Sequence, residues 1–159
     1  MTVRPAVESD GPALVAVDVA TWSTVVTPGP QPDGEGPFFS ERTPPEAVLV
    51  CEVDGEVAGY VVLRQEFPMP SHAHVLEIGG LAVGPGAQGR GAGRLLVEAA
   101  VEEARRRGAV KLSLRVLGGN DGARRLYERC GFVVEGVLAG EFVLDGAEVD
   151  DVLMARRLD

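Results

Sequence analysis

Five glycines fall within eleven residues in the run Gly84-Pro85-Gly86-Ala87-Gln88-Gly89-Arg90-Gly91-Ala92-Gly93-Arg94. The run follows Leu81-Ala82-Val83, which reads as the end of a strand, and precedes a stretch of helical periodicity. A glycine-dense turn at a helix N-terminus aims backbone N–H groups and the positive end of the helix dipole outward, so phosphate is its natural guest. Two motifs overlap in it. Gly84-x-Gly86-x-x-Gly89 has the spacing of a dinucleotide fingerprint, which needs an acidic residue about 20 positions on, at the end of the next strand. The next strand, Val110–Val116, holds no acid, so a dinucleotide-dependent oxidoreductase is a remote alternative. The only lysine, Lys111, is far from the loop, which excludes a Walker phosphate loop. The second motif is Gln88-x-x-Gly91-x-Gly93.

The elements around this loop read as one α/β domain over residues 1–159. Thr2–Ala6 is a short edge strand, and Ser9 or Asp10 caps a helix running to about Trp22, with Leu14, Val15, Val17 and Val19 as its apolar positions. Residues 28–45 carry six of the eleven prolines and three glycines, a density of breakers that leaves a long irregular loop. Ala47–Val53 and Glu56–Gln65 form a hairpin around Asp54-Gly55. His74–Val83 is a further strand, and the Gly79-Gly80 pair inside it marks a bulge or a close approach. Gly91–Gly108 is an amphipathic helix, with Glu102→Arg106 and Glu103→Arg107 as i,i+4 pairs. Val110–Leu117 is a strand and Asp121–Cys130 a short helix. Phe132–Val137, Glu141–Leu144 and Val149–Arg156 are late strands, with Asp145-Gly146 as a turn.

Composition narrows the class. With 45% apolar and 25% charged residues the chain is globular, and two cysteines, Cys51 and Cys130, cannot build a disulfide scaffold. No apolar run is long enough to span a membrane and the N-terminus does not resemble a signal peptide, so the expected compartment is the cytoplasm. The net charge of −9 argues against nucleic acid as a partner. Its distribution is uneven. Residues 1–87 hold twelve acids against three arginines, whereas residues 88–129 hold ten of the fifteen cations against five acids. An anionic ligand on the middle segment and a cationic one elsewhere would use that layout, although a solvated, ion-paired helix face would also produce it.

A second stretch now becomes informative. Asn120-Asp121-Gly122-Ala123-Arg124-Arg125-Leu126-Tyr127-Glu128-Arg129-Cys130-Gly131-Phe132 follows the glycine loop by about thirty residues. Together the two stretches resemble the GNAT superfamily of N-acetyltransferases, which carries Gln/Arg-x-x-Gly-x-Gly/Ala and, later, Asn-x-x-Ala-x-x-Leu-Tyr-x-x-x-Gly-Phe. The order of elements agrees along almost the whole chain, most loosely in residues 23–46. The resemblance implies a mixed, mostly antiparallel twisted sheet of about seven strands flanked by helices. It also implies acetyl-CoA as co-substrate without a metal, and a primary amine on a small molecule or peptide as acceptor.

The resemblance assigns roles residue by residue. The main chain of Leu81, Ala82 and Val83 would pair with the pantetheine arm. Gln88, Gly89, Arg90, Gly91, Ala92, Gly93 and Arg94 would hold the pyrophosphate, and Asn120 would contact the pantetheine near the thioester. Tyr127 would protonate the departing thiolate and Glu77 would take the proton of the acceptor ammonium. The variable loop, 23–46, would border the acceptor. Each residue also has a plainer reading: Asn120 as a turn former, Tyr127 as a packed aromatic, Glu77 as an exposed strand carboxylate. A non-catalytic acyl-CoA-binding regulator on the same fold is the alternative function, and a homodimer through the late strands is compatible with the pattern.

Weaker constellations are read as structural. His72-x-His74 could put two imidazoles on one strand face, but no further ligand stands nearby to complete a metal site. Cys51 and Cys130 read as small core residues. Arg105-Arg106-Arg107 lies in a last helical turn, where cations favour the dipole.

Overall fold

A computed structural model describes all residues, Met1–Asp159. The elements in chain order are β1 (Thr2–Pro5), α1 (Gly11–Thr21), β2 (Val48–Val53), β3 (Glu56–Arg64), β4 (Val75–Val83), α2 (Ala92–Arg106), β5 (Lys111–Leu117), α3 (Asp121–Arg129), β6 (Val133–Leu144) and β7 (Ala147–Arg157). The seven strands form one sheet in the order β1-β2-β3-β4-β5-β7-β6. Every neighbouring pair is antiparallel except β4 and β5, which α2 connects in parallel. This is the mixed, mostly antiparallel sheet that the resemblance implied.

Period-two alternation sends side chains of one strand to two separate cores. Val61 and Leu63 of β3 join Leu96, Val97, Ala100, Val101 and Ala104 of α2 on one face. Tyr60 and Val62 join Leu14 and Val17 of α1 on the other. Both cysteines are buried and free. Asp54 and Gly55 both have positive φ, +53° and +82°, as the tight turn joining β2 and β3 requires. No helix is long and apolar enough to cross a membrane.

Several local expectations change. Asp10 stands at the N-cap of α1, but its carboxylate makes no capping bond to the helix and instead accepts from the Val7 N–H and from Arg4, closing a 3₁₀ turn just before the helix. Val19 is exposed, so the buried stripe of α1 is narrower than its apolar sequence. Glu102 pairs with Arg105 rather than Arg106, which together with Arg107 is held by Glu103. The two strand pieces after Phe132 are one strand, β6, bent by register shifts between Val134 and Gly136 and between Leu138 and Phe142, with Gly140 at φ +59°. His72 sits in a 3₁₀ turn, Pro70–His72, and His74 precedes β4, so the two imidazoles do not share a strand face.

Candidate active site

The site begins where two strands part. β4 and β5 pair from Val75↔Lys111 to Ile78↔Leu114 and then diverge, although β4 runs on to Val83 and β5 to Leu117. Leu81, Ala82 and Val83 bond to β3 on one edge and present the other edge of the main chain to the fork. Sheet edges carry unpaired N–H and C=O groups, which an extended amide-bearing arm can pair with as an added strand.

Just beyond the fork the glycine loop reaches α2. Gly89 and Gly91 take φ +74° and +88°, conformations that a side chain resists, and a Cβ on either would stand in open space. Their conformations therefore serve the backbone path rather than packing. None of the N–H groups from Gln88 to Arg94 donates to another protein group. Together with the α2 dipole they make a cradle for an anion, and Arg90 and Arg94 add positive charge beside it. Gln88 acts differently, since its Nε2 donates to the Val83 carbonyl at 2.9 Å and ties the loop back to β4. Gly93 is small for a packing reason, because a Cβ there would lie 3.1 Å from Leu126 Cδ2 of α3.

On the β5 side of the fork, Asn120 caps α3 through its Oδ1, which accepts from the Ala123 N–H at 3.2 Å. The plain turn-former reading is thus part of its role, and its amide N–H groups remain free to donate. Tyr127 is buried in the larger core, its ring 5.8 Å from that of Phe132. Burial pushes the phenol well above its ordinary value, so it holds its proton across the neutral range. Its hydroxyl has no hydrogen-bond partner in the protein, yet is not sealed from solvent.

Glu77 pairs with Ser113 one residue before the fork and is buried, not the exposed strand carboxylate of the plainer reading. Burial raises its carboxyl above the ordinary glutamate range. The neighbouring Glu66 raises it further, and Arg64 and Arg115 hold it back. The next residues make the expected bulge: β3 pairs Val62 with Gly80 and Leu63 with Ile78, leaving Gly79 unmatched. The Arg64 guanidinium fills the space beside Gly79 and reaches to 3.6 Å from Glu77.

A cleft of about 300 Å³ opens at this bulge, between α1, the proline-rich loop and the middle of β3 and β4. Asp18, Phe38, Tyr60, Arg64, Gly79 and Gly80 are among its lining residues. Tyr60 donates its hydroxyl to the Asp18 carboxylate and meets Phe38 edge-on with ring centroids 5.0 Å apart. Sequence reasoning missed Asp18, Tyr60 and Arg64. The contact of Asp18 with Tyr60 joins α1 to β3 across 42 positions, and no local motif announces it.

The chain is 26% identical to the YwnH protein of Bacillus subtilis strain 168, provisionally named a phosphinothricin acetyltransferase, over 99% of both chains. The ribosomal-protein-alanine N-acetyltransferase of Brucella melitensis superposes with a TM-score of 0.83 at 28% identity, over 99% of this chain and 100% of that one. The Salmonella typhimurium protein yncA, solved with its cofactor acetyl-CoA, superposes with a TM-score of 0.83 at 25% identity, over 100% of this chain and 94% of that one. Residues 16–132 match the model of the acetyltransferase (GNAT) family, from α1 through the fork and the anion cradle to Phe132, and the chain belongs to that family.

Proposed function

We propose that the protein is an N-acetyltransferase that moves acetyl from acetyl-CoA to a primary amine, on a small molecule or peptide, by direct attack in a ternary complex. The observation that carries this reading is the placement of Glu77, a buried carboxylate with a raised pKa, one residue from the β4–β5 fork and beside Arg64, which lines the cleft.

Acetyl-CoA supplies an activated acyl group, and the chain supplies positions and proton handling. Leu81, Ala82 and Val83 offer strand pairing to the pantetheine arm, and Asn120 offers its amide from the opposite side. Gln88, through its tie to Val83, sets the path of the loop whose N–H groups, from Gly89 through Gly91, Ala92 and Gly93 to Arg94, take the pyrophosphate, with Arg90 adding charge. The ten cations of residues 88–129 suit a polyanion of this kind.

The acceptor enters the cleft under the 23–46 loop. An amine with a pKa near 10 arrives protonated and cannot attack until it loses that proton. Glu77 takes it, and its raised pKa makes it a better base than a solvated glutamate. The free amine attacks the thioester carbon and the sulfur departs. Tyr127 offers its hydroxyl to that sulfur. Because the buried phenol holds its proton more tightly than a thiol does, the help lies mainly in a hydrogen bond to the developing thiolate.

Acetyl-CoA-dependent thiol release across a panel of amines tests the reading. Release that requires an amine and yields the N-acetylated product is the expected outcome. Calorimetric binding of acetyl-CoA with no thiol release on any amine would establish a non-catalytic acyl-CoA-binding protein instead.

A further inference from the structure

Glu77 belongs to a chain of alternating charges assembled from separate segments. Arg64, at the end of β3, stands 3.6 Å from it. Glu66, two residues beyond β3, is a second carboxylate that bears on Glu77 and holds its carboxyl up. Arg115 of β5 lies 3.5 Å from Glu66 and 3.1 Å from Asp151 of β7. Arg64, Glu66 and Arg115 are the charged groups that bear on Glu77, and Asp151 acts through Arg115.

Three carboxylates therefore meet two guanidiniums. Fully ionised, the cluster carries one negative charge in excess, and a single added proton neutralises it. Two neighbouring carboxyl groups share such a proton, because their charges repel when both are ionised. The guanidiniums cannot carry it, since arginine has no acceptor and does not deprotonate in proteins. Exposure gives the direction of travel. The side chain of Glu77 is 11% exposed and that of Asp151 only 4%, whereas that of Glu66 is 33% exposed. Of the charged groups that bear on the Glu77 carboxyl, only Glu66 can both accept a proton and deliver it to water.

We propose that Glu66 is a positioning and proton-relay partner of Glu77, receiving the proton that Glu77 takes from the acceptor and passing it to solvent. This rests on Glu77 acting as the base, as proposed above. The acceptor's N–H bond breaks and its proton bonds to a Glu77 carboxylate oxygen, which leaves the nitrogen lone pair free to attack. The proton then moves from that oxygen to a Glu66 carboxylate oxygen, and from there to a water molecule. Both glutamates return to their starting charge, and no oxidant or further reactant is needed. Arg115, tied to Asp151, holds Glu66 in place.

Two readouts on Glu66→Gln and Glu66→Asp test this. The first is carbon NMR titration of the Glu77 carboxyl in the resting protein, which needs no turnover. The second is turnover on the best amine as pH and buffer concentration are varied. In Glu66→Gln the Glu77 carboxyl is expected to titrate at lower pH than in the parent, because a like charge is gone. The acid limb of kcat/KM should move the same way. Turnover should also fall and depend on buffer concentration, since a mobile buffer then does what Glu66 did. Glu66→Asp, which keeps the charge, restores parental behaviour in both readouts. A parental Glu77 midpoint in Glu66→Gln, or parental turnover independent of buffer, reduces Glu66 to an ion-pair partner and overturns the proposal. If the parent acetylates no amine at all, the transferase reading fails instead. The resting titration then still decides whether the two glutamates share a proton.

Discussion

A side chain at Gly79 and the guanidinium of Arg64 claim the same space: a Cβ built on Gly79 falls 2.5 Å from Arg64 Nε and 2.6 Å from Cζ. Gly79 is also the residue that the β3–β4 register leaves unmatched. The bulge and the missing side chain together let Arg64 fold back over β4 and come to 3.6 Å from Glu77. Gly79→Ala should therefore act on Glu77 through Arg64. The guanidinium is the far end of a flexible side chain and Gly79 does not have positive φ, so the protein yields by moving Arg64. A stability loss of about 1 kcal/mol, or roughly 2–4 °C in Tm, is expected. With its cation displaced, Glu77 ionises less readily, and the acid limb of the pH–rate profile moves to higher pH. A melting curve and a pH–rate profile check both parts; an unmoved limb would mean that Arg64 does not tune the base.

Tyr127 divides cleanly between ring and hydroxyl. The ring is buried against Phe132, whereas the hydroxyl has no partner within the protein. Tyr127→Phe keeps the packing and removes only the hydroxyl proposed to meet the sulfur. Tm and acetyl-CoA affinity should stay close to parental while kcat falls by about 10²–10³, the loss of one hydrogen-bond donor to the developing charge. Parental kcat on the best amine would leave the tyrosine as packing alone.

Gly91 tests the anion cradle. Its φ of +88° costs an ordinary residue roughly 1 kcal/mol, and Asp adds a carboxylate beside the N–H groups proposed to hold phosphate. Gly91→Asp should weaken acetyl-CoA binding by about tenfold or more in calorimetry. Unchanged affinity would remove the loop from the site.

Legibility in the sequence followed locality. The loop from Gly84 to Arg94 and the stretch from Asn120 to Phe132 each lie within one strand–helix junction or one helix, so the two motifs that carried the family resemblance could be read from local spacing. The hairpins at Asp54-Gly55 and Asp145-Gly146 were readable for the same reason, since a turn needs only its own φ angles. The charge cluster around Glu77 was not readable. Its members come from β3, the segment after it, β4, β5 and β7, and only the strand order brings them together. The start of α1 at Asp10 was readable, but not the partner of its carboxylate, which is Arg4 of β1 rather than the helix N–H groups. A side chain that can cap a helix can equally close an ion pair, and tertiary contact decided between them.

Replacing Glu77 by Gln should move stability and activity in opposite directions. Burial, and then Glu66, hold the Glu77 carboxyl above its ordinary value in the folded protein, so its ionisation costs the folded state more than the unfolded one. That cost is absent at low pH, where both states are protonated. It grows as pH rises past the unfolded carboxyl value of about 4.3, and it is complete once pH exceeds the folded value. Glutamine carries no such cost. Glu77→Gln should accordingly melt above the parent near neutral pH, with the advantage disappearing in acid. Arg64 loses a neighbour but is itself partly exposed, so water replaces most of that contact. Turnover should fall by about 10²–10⁴ near neutral pH, where the acceptor is protonated, and recover partly as pH approaches the amine pKa and free amine appears unaided. Calorimetric Tm values and turnover measured across the same pH series decide both halves. A variant that melts below the parent at neutral pH would show that the Arg64 contact outweighs desolvation. An unaltered pH–rate profile would place deprotonation in bulk water or at another carboxylate.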